Sequence, residues 1–76
     1  MELTEEEEFI IKWQYRILGD FTTALIDAIK RADSSNLARL ALGFPMEVKA
    51  YKLYAEQPGW WQRTEEKYSE LRGGKE

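Results

Sequence analysis

The chain has 76 residues, neither cysteine nor histidine, and a formal net charge of −3. This composition excludes disulfides, thiolate chemistry, and both the commonest zinc ligand and the commonest general base near neutral pH. So short a chain forms a single domain, residues 1–76, with a small core that usually needs reinforcement. Because 43% of the residues are hydrophobic and the usual reinforcements are excluded, we expect a homo-oligomer.

Charge and hydropathy also bear on location. No apolar run approaches the roughly 18 residues that a membrane span needs, and the N-terminus is too acidic for a signal peptide. We therefore expect a cytoplasmic protein that has no membrane partner.

The first predicted helix covers residues 5–18 and ends at Gly19. Thr4 and Glu7 have the spacing of a capping box, and the glutamates at 5–8 stabilise the positive end of a helix. Its apolar residues form two stripes on nearly opposite sides, Phe9, Ile10, Trp13 and Ile17 on one and Ile11, Tyr15 and Leu18 on the other. A helix that is apolar on two sides lies between neighbouring helices or in an interface between chains. We favour the interface, because so short a chain offers few neighbours.

Two further helices follow. Asp20 is the predicted N-cap of a helix over residues 21–32, which has a single apolar stripe. Because only Gly19 and Asp20 separate this helix from the first, we expect the two to form a tight antiparallel pair or corner. The break at residues 33–35 offers three alternative N-caps for a helix over residues 36–42. The inward residues of that helix are predicted to be Leu37, Leu40 and Ala41.

The fourth and fifth helices are separated by a turn at residues 57–59. Pro45 suits the first position of a helix over residues 45–56. This helix again has two apolar sides, with Phe44, Val48, Tyr51 and Ala55 on one and Met46, Leu53 and Tyr54 on the other. The last helix covers residues 60–72, and its predicted inward face consists of Trp61, Thr64, Tyr68 and Leu71.

The sequence thus predicts an all-α fold, a small bundle of four to five short helices with frayed ends at residues 1–3 and 73–76. The second stripes of the first and fourth helices predict the oligomer interface. Its residues are Ile11, Tyr15, Leu18, Met46, Leu53 and Tyr54.

A cluster of basic and aromatic residues is the candidate ligand site. Trp60, Arg63 and Lys67 share one side of the last helix, and Lys49 and Lys52 share a side of the fourth. Such a set suits a nucleotide, because the indole stacks on the base and the cations neutralise phosphate. In the alternative, Trp60 packs on a neighbouring helix or subunit and the basic side chains are merely solvated.

Two other function classes are disfavoured. Residues 36–48 have the helix–glycine–helix order of a DNA-binding motif, but Arg39 lies where that motif needs a small buried residue. Glu47 and Glu56 also balance Lys49 and Lys52, so sequence-specific DNA binding is not expected. We expect no enzyme, since the hydroxyl groups lack an activating histidine and the carboxylates lack an apolar pocket. No catalytic residue, metal ligand or cofactor is predicted.

Three segments carry a resemblance. Residues 32–40, 43–51 and 59–61 match the pattern ADxxNLxxL, GFPxEVxAY and GWW, after a helix of the form FxxALxxAI at residues 21–29. In this respect the chain resembles a group of short proteins from phages and prophages, mostly of unassigned function. The resemblance implies a small, dispensable phage product, and many such products counteract host defence.

The function hypothesis follows from the site and the resemblance together. We expect a non-enzymatic binder that sequesters a nucleotide second messenger at a subunit boundary, through the cluster around Trp60. One alternative is an inhibitor that binds a host defence protein, as anti-CRISPR proteins do, through residues 5–8 and the exposed parts of Ile11, Tyr15 and Leu18. Another is a structural oligomer without a small ligand. Phe44 and Trp61 are expected in the core in every case.

Overall fold

Five α-helices follow one another along the chain. The structure, a computed structural model, describes residues 2–73. The helices are α1 (Glu5–Gln14), α2 (Asp20–Arg31), α3 (Ser34–Gly43), α4 (Pro45–Glu56) and α5 (Trp60–Leu71). The described range contains no strand, so the all-α prediction is confirmed with five helices, whereas the homo-oligomer stays a prediction. Of the ends predicted to fray, residues 2, 3 and 73 lie outside the helices, and 1 and 74–76 lie outside the described residues.

The first helix ends four residues earlier than predicted. The backbone N–H of Arg16 donates to Trp13 O at 3.1 Å, and that of Ile17 donates to Lys12 O at 2.9 Å. These two bonds form a Schellman motif, in which the left-handed residue just past the helix is usually glycine. Here that residue is Arg16, with φ of 62°. The prediction that Gly19 ends α1 was wrong because an arginine takes the left-handed position first.

Two of the five helices, α1 and α3, begin at a residue whose side chain caps the helix. The capping box is present in α1, where Thr4 Oγ1 accepts from the Glu7 N–H and Glu7 Oε1 accepts from the Thr4 N–H. Asp33 caps α3 by accepting from the Asn36 N–H at 2.8 Å. In α2 the cap is Gly19, and Asp20 is already the first helical residue. There its carboxylate lies at the positive end of the helix dipole.

Helix α4 is the centre of the fold, because the other four helices all pack against it. Its Ala50 side belongs to the first core cluster, which consists of Phe9, Ile10, Ile26, Ala50 and Trp60. Its Val48 side belongs to the second core cluster, which consists of Leu25, Ile29 and Val48. The two apolar sides of α4 are therefore explained by neighbours on both sides within one chain. Helices α1 and α2 both pack against α4 rather than forming the predicted tight pair.

No helix within residues 2–73 combines the length and the apolar character needed to span a membrane.

Candidate functional site

Trp60 does not form a ligand platform. Its side chain is only 9% exposed and lies in the first core cluster with Phe9 and Ile10. One turn later Thr64 is 1% exposed, and its hydroxyl donates to Trp60 O at 2.9 Å. Little of the Trp60 ring is left for a base to stack on, and its position agrees with the alternative that Trp60 packs on a neighbouring helix. On the predicted inward face of α5, Thr64 is buried as expected, but Trp61 and Tyr68 are only half-buried and Leu71 is 45% exposed.

Lys67 lies on the same face of α5 and is engaged by α1. Its Nζ donates to Glu7 Oε1 at 2.8 Å and reaches Glu2 O at 3.5 Å. Burial raises the pKa of the Glu7 carboxyl, but the hydrogen bonds from Lys67 and Thr4 outweigh it and hold that pKa below its usual range. Lys67 thus joins α5 to α1 and has little capacity left for a phosphate.

The remaining predicted ligand residues lie in two different places. Arg63 is exposed, and its guanidinium donates to Pro58 O at 3.5 Å. Lys49 and Lys52 line a groove of about 350 Å³ beside α4, whose other lining residues are Ala41, Pro45, Val48, Leu53, Glu56 and Gln57. No residue of α5 lines this groove, and Lys49 Nζ is 3.6 Å from the Glu6 carboxylate. The predicted cluster is therefore not one site. Trp60 lies in the core, Lys67 pairs with Glu7, and Arg63 lies on a different surface from Lys49 and Lys52.

The predicted oligomer interface is largely covered by the chain's own helices. Ile11 is 3% exposed, so it has no surface to offer a second copy. Four of the others are half-buried against the first core cluster, namely Leu18, Met46, Leu53 and Tyr54. Tyr15 remains 45% exposed and meets Tyr68 edge to face at 5.5 Å between ring centroids.

The acidic surface of the alternative hypothesis is also reduced. Glu6 and Glu7 form ion pairs with Lys49 and Lys67, and Glu8 pairs with Lys12 at 3.7 Å. Since Ile11 is buried and Leu18 half-buried, Tyr15 is the main apolar residue that this surface still exposes.

A different groove, between the end of α1 and the outer side of α2, collects the residue types that a nucleotide needs. It measures about 510 Å³, within the range of small-molecule sites. Its lining residues are Trp13, Gln14, Arg16, Thr23 and Lys30. An indole, an amide, a hydroxyl and two cations thus face one space, which we call the α1–α2 groove.

The aromatic wall of the α1–α2 groove is held by the core. The Trp13 ring meets Tyr54 edge to face at 5.1 Å and Tyr51 at 6.1 Å between centroids. Such edge-to-face packing favours one ring orientation. Trp13 therefore combines a fixed position with a surface in the groove, which Trp60 does not have.

The two cations of the groove come from distant parts of the sequence. Arg16 is held by the Schellman motif at the end of α1, and Lys30 lies in the last turn of α2. Neither forms an ion pair among the residues that the structure describes. The hydroxyl of Thr23 donates to Leu18 O at 3.5 Å and ties the connecting turn to α2. Both charges remain available to an anion.

An adjoining space extends the groove along α2. It measures about 350 Å³ and shares Trp13, Thr23 and Lys30 with the first space. Its further lining residues are Asp20, Ala24, Ile26 and Asp27. The first space is lined by no carboxylate, whereas this one has two, of which Asp27 also pairs with Arg31 at 3.3 Å. The two ends therefore differ in charge. An anionic group suits the first space, and hydrogen-bond donors suit the second.

Two features of the sequence conceal this groove. Trp13 belongs to an apolar stripe, which predicts packing alone. Arg16 lies within the predicted first helix, and only the early end of α1 brings it towards Lys30. The sequence does not indicate that Arg16 takes the left-handed backbone conformation, because glycine is the usual residue at that position.

Comparisons with protein-family models, with curated proteins and with solved structures gave no match. The phage resemblance therefore stays a prediction. Within residues 2–73, no group of three or more carboxylates is placed to hold a metal ion.

Proposed function

We propose that this protein is a non-enzymatic binder that captures a nucleotide in the α1–α2 groove. The observation that carries the proposal is the meeting of Trp13, Arg16 and Lys30 around one space of about 510 Å³. The proposed site uses the same residue types as the cluster around Trp60, an indole and basic side chains, but at positions whose side chains face an open groove.

Each part of a nucleotide has a matching part of the groove. The base stacks on Trp13, which is worth about 1–3 kcal/mol per base. The phosphate accepts hydrogen bonds from Arg16 and Lys30, at the end without carboxylates. Asp20 and Asp27 accept from sugar hydroxyls or from exocyclic amino groups at the other end.

Capture without catalysis gives such a protein a simple mode of action. Neither histidine nor cysteine occurs in the chain, so the groove offers neither an imidazole base nor a thiolate nucleophile. The phage resemblance makes a nucleotide second messenger of host defence the first ligand to test. Sequestration would then lower the free concentration of that signal.

Isothermal titration calorimetry with linear and cyclic adenine and guanine nucleotides tests the proposal. We expect binding by the natural protein and at least about tenfold weaker binding by Lys30→Ala, since hydrogen bonds to charged groups are worth about 1.5–3 kcal/mol. Lys52→Ala is the matched control, because Lys52 is an exposed lysine outside this groove. The nucleotide affinity of this variant should equal that of the natural protein. Absence of heat with the whole panel would overturn the proposal. If only Lys52→Ala weakened nucleotide binding, the binding site would instead be the groove beside α4.

A further inference from the structure

The turn between α1 and α2 carries an apolar surface that the chain leaves open. Ile17 is 64% exposed and Phe21 is 68% exposed. The Phe21 ring lies 6.1 Å from the ring of Phe44, which is half-buried against the second core cluster. We call Ile17, Phe21 and Phe44 the turn surface. Exposed apolar side chains that lie together, as Phe21 and Phe44 do, are the kind of surface that a protein partner covers.

The shape of the chain explains why its own helices do not cover this surface. The radius of gyration is 13.1 Å, compared with about 11.4 Å for a compact domain of 76 residues. The smallest principal extent is only 17 Å, about two helix layers. So flat a molecule has no third layer to place over the turn.

The charges beside the turn surface indicate what covers it. Arg16 precedes Ile17 and Asp20 precedes Phe21, so one cation and one anion flank the apolar residues. Neither forms an ion pair among residues 2–73. A two-fold interface places the same patch on both copies, and each residue meets its complement on the other. A patch with one charge of each sign is complementary to itself in this arrangement.

We propose that a second copy of this chain covers the turn surface in a two-fold dimer. Ile17, Phe21 and Phe44 pack against the same residues of the partner, and Arg16 of each copy pairs with Asp20 of the other. Stable interfaces bury about 600 Å² or more per copy, which these three side chains do not supply alone. A polar rim therefore contributes, and the dimer is weak enough to depend on concentration.

The dimer also brings the α1–α2 groove to the subunit boundary, because Arg16 and Asp20 line the groove and flank the turn surface. An arginine has five N–H donors, so Arg16 can meet the partner's carboxylate and a ligand together. The dimer does not depend on ligand capture, and each can fail without the other.

Light scattering behind size exclusion, over a range of loading concentrations, measures the dimer. We expect the mass of the natural protein to rise towards twice the 9.0 kDa of one chain. Phe21→Ser should remain at the monomer mass throughout, while Leu42→Ser should behave as the natural protein. Leu42 is the matched control because it is 86% exposed but lies outside the turn surface. Circular dichroism checks that both variants stay folded.

A charge exchange tests the two-fold arrangement itself. Arg16→Asp and Asp20→Arg should each weaken the dimer by about tenfold or more, because like charges then face each other. The double variant should regain most of the affinity. A natural protein that stays at 9.0 kDa at every concentration, or a Phe21→Ser variant that still dimerises, would overturn the dimer. Failure of the double variant to recover would overturn the Arg16–Asp20 pairing.

The same samples separate this inference from the proposed function. Phe21 lines neither part of the α1–α2 groove, so a monomeric Phe21→Ser variant keeps Trp13 and Lys30. If the natural protein dimerises but binds no nucleotide, the proposed function alone has failed.

Discussion

The two core clusters divide the molecule into a tightly joined half and an open half. Around the first core cluster, half-buried aromatic rings from α1, α4 and α5 meet at 5.1–6.1 Å between centroids, and Lys67 donates to Glu7 across helices far apart in sequence. The second core cluster has three buried aliphatic residues, and α3 beside it has no buried residue. The most exposed large apolar side chains, Leu42 and Phe21, belong to α3 and α2. Stability is thus concentrated in one half, while the other half presents surface.

The largest expected effect comes from Trp60→Ala. Removing a buried tryptophan costs about 3–5 kcal/mol, a large share of the roughly 4–11 kcal/mol expected for a chain of this length. Urea unfolding followed by circular dichroism measures the change in the free energy of unfolding.

Phe44→Ala provides the comparison for Trp60→Ala, because Phe44 is a half-buried aromatic residue beside the second core cluster. Its loss should cost about 1–3 kcal/mol, less than for a fully buried ring. Equal losses for the two variants would contradict the division between the two halves.

A smaller effect is expected from Glu7→Gln. Glutamine keeps the capping box but loses the charge that meets Lys67, so at neutral pH we expect a loss of about 1–2 kcal/mol. The pKa of Glu7 in the folded protein lies below its usual value of 4.5. Its stabilising contribution is therefore complete well above pH 4.5 and is lost as the pH falls through the lowered pKa. Denaturation curves at several pH values should converge for the natural protein and the variant in acid.

Glu6→Gln is the control for Glu7→Gln. The Glu6–Lys49 pair is longer, at 3.6 Å, and its lysine side chain is 66% exposed, so its removal should change stability by at most about 1 kcal/mol. If Glu6→Gln lowered the free energy of unfolding as much as Glu7→Gln, the Glu7–Lys67 contact between α1 and α5 would stabilise the protein no more than an exposed ion pair.

The smallest effect, and the only gain, is expected from Arg16→Gly. A non-glycine residue in the left-handed region costs about 1–2 kcal/mol, so glycine should stabilise the protein by about 1 kcal/mol. The same change removes a cation from the α1–α2 groove and should weaken nucleotide binding. Thermal unfolding and calorimetry on one sample measure both effects. If the variant bound nucleotide as well as the natural protein, Arg16 would not be part of the binding site.

The helices that could be predicted from sequence are those with a local stop or start signal. Helix α4 begins and ends where predicted, because Gly43, Pro45 and the turn at 57–59 bound it unambiguously. The end of α1 could not be predicted, since Arg16 takes a conformation that its own type disfavours. Local signals therefore account for most of the fold but not for the turn that shapes the groove.

The candidate site was harder to predict than the fold. Trp60 and Trp61 are adjacent and equally apolar, and only packing against α1 decides which of them turns inward. The residues of the α1–α2 groove are separated in sequence by up to 17 positions, from Trp13 to Lys30. No periodic pattern links them, because their meeting depends on how the turn after α1 is closed.

The position of the main partners of α1 has a consequence for the order in which the protein forms during synthesis. Helix α1 is made before α4, on which it chiefly packs, and before Lys67, which meets Glu7. Contacts between segments so distant along the chain form only after both are available. The nascent α1 must therefore wait with its apolar residues uncovered until α4 and α5 have been made.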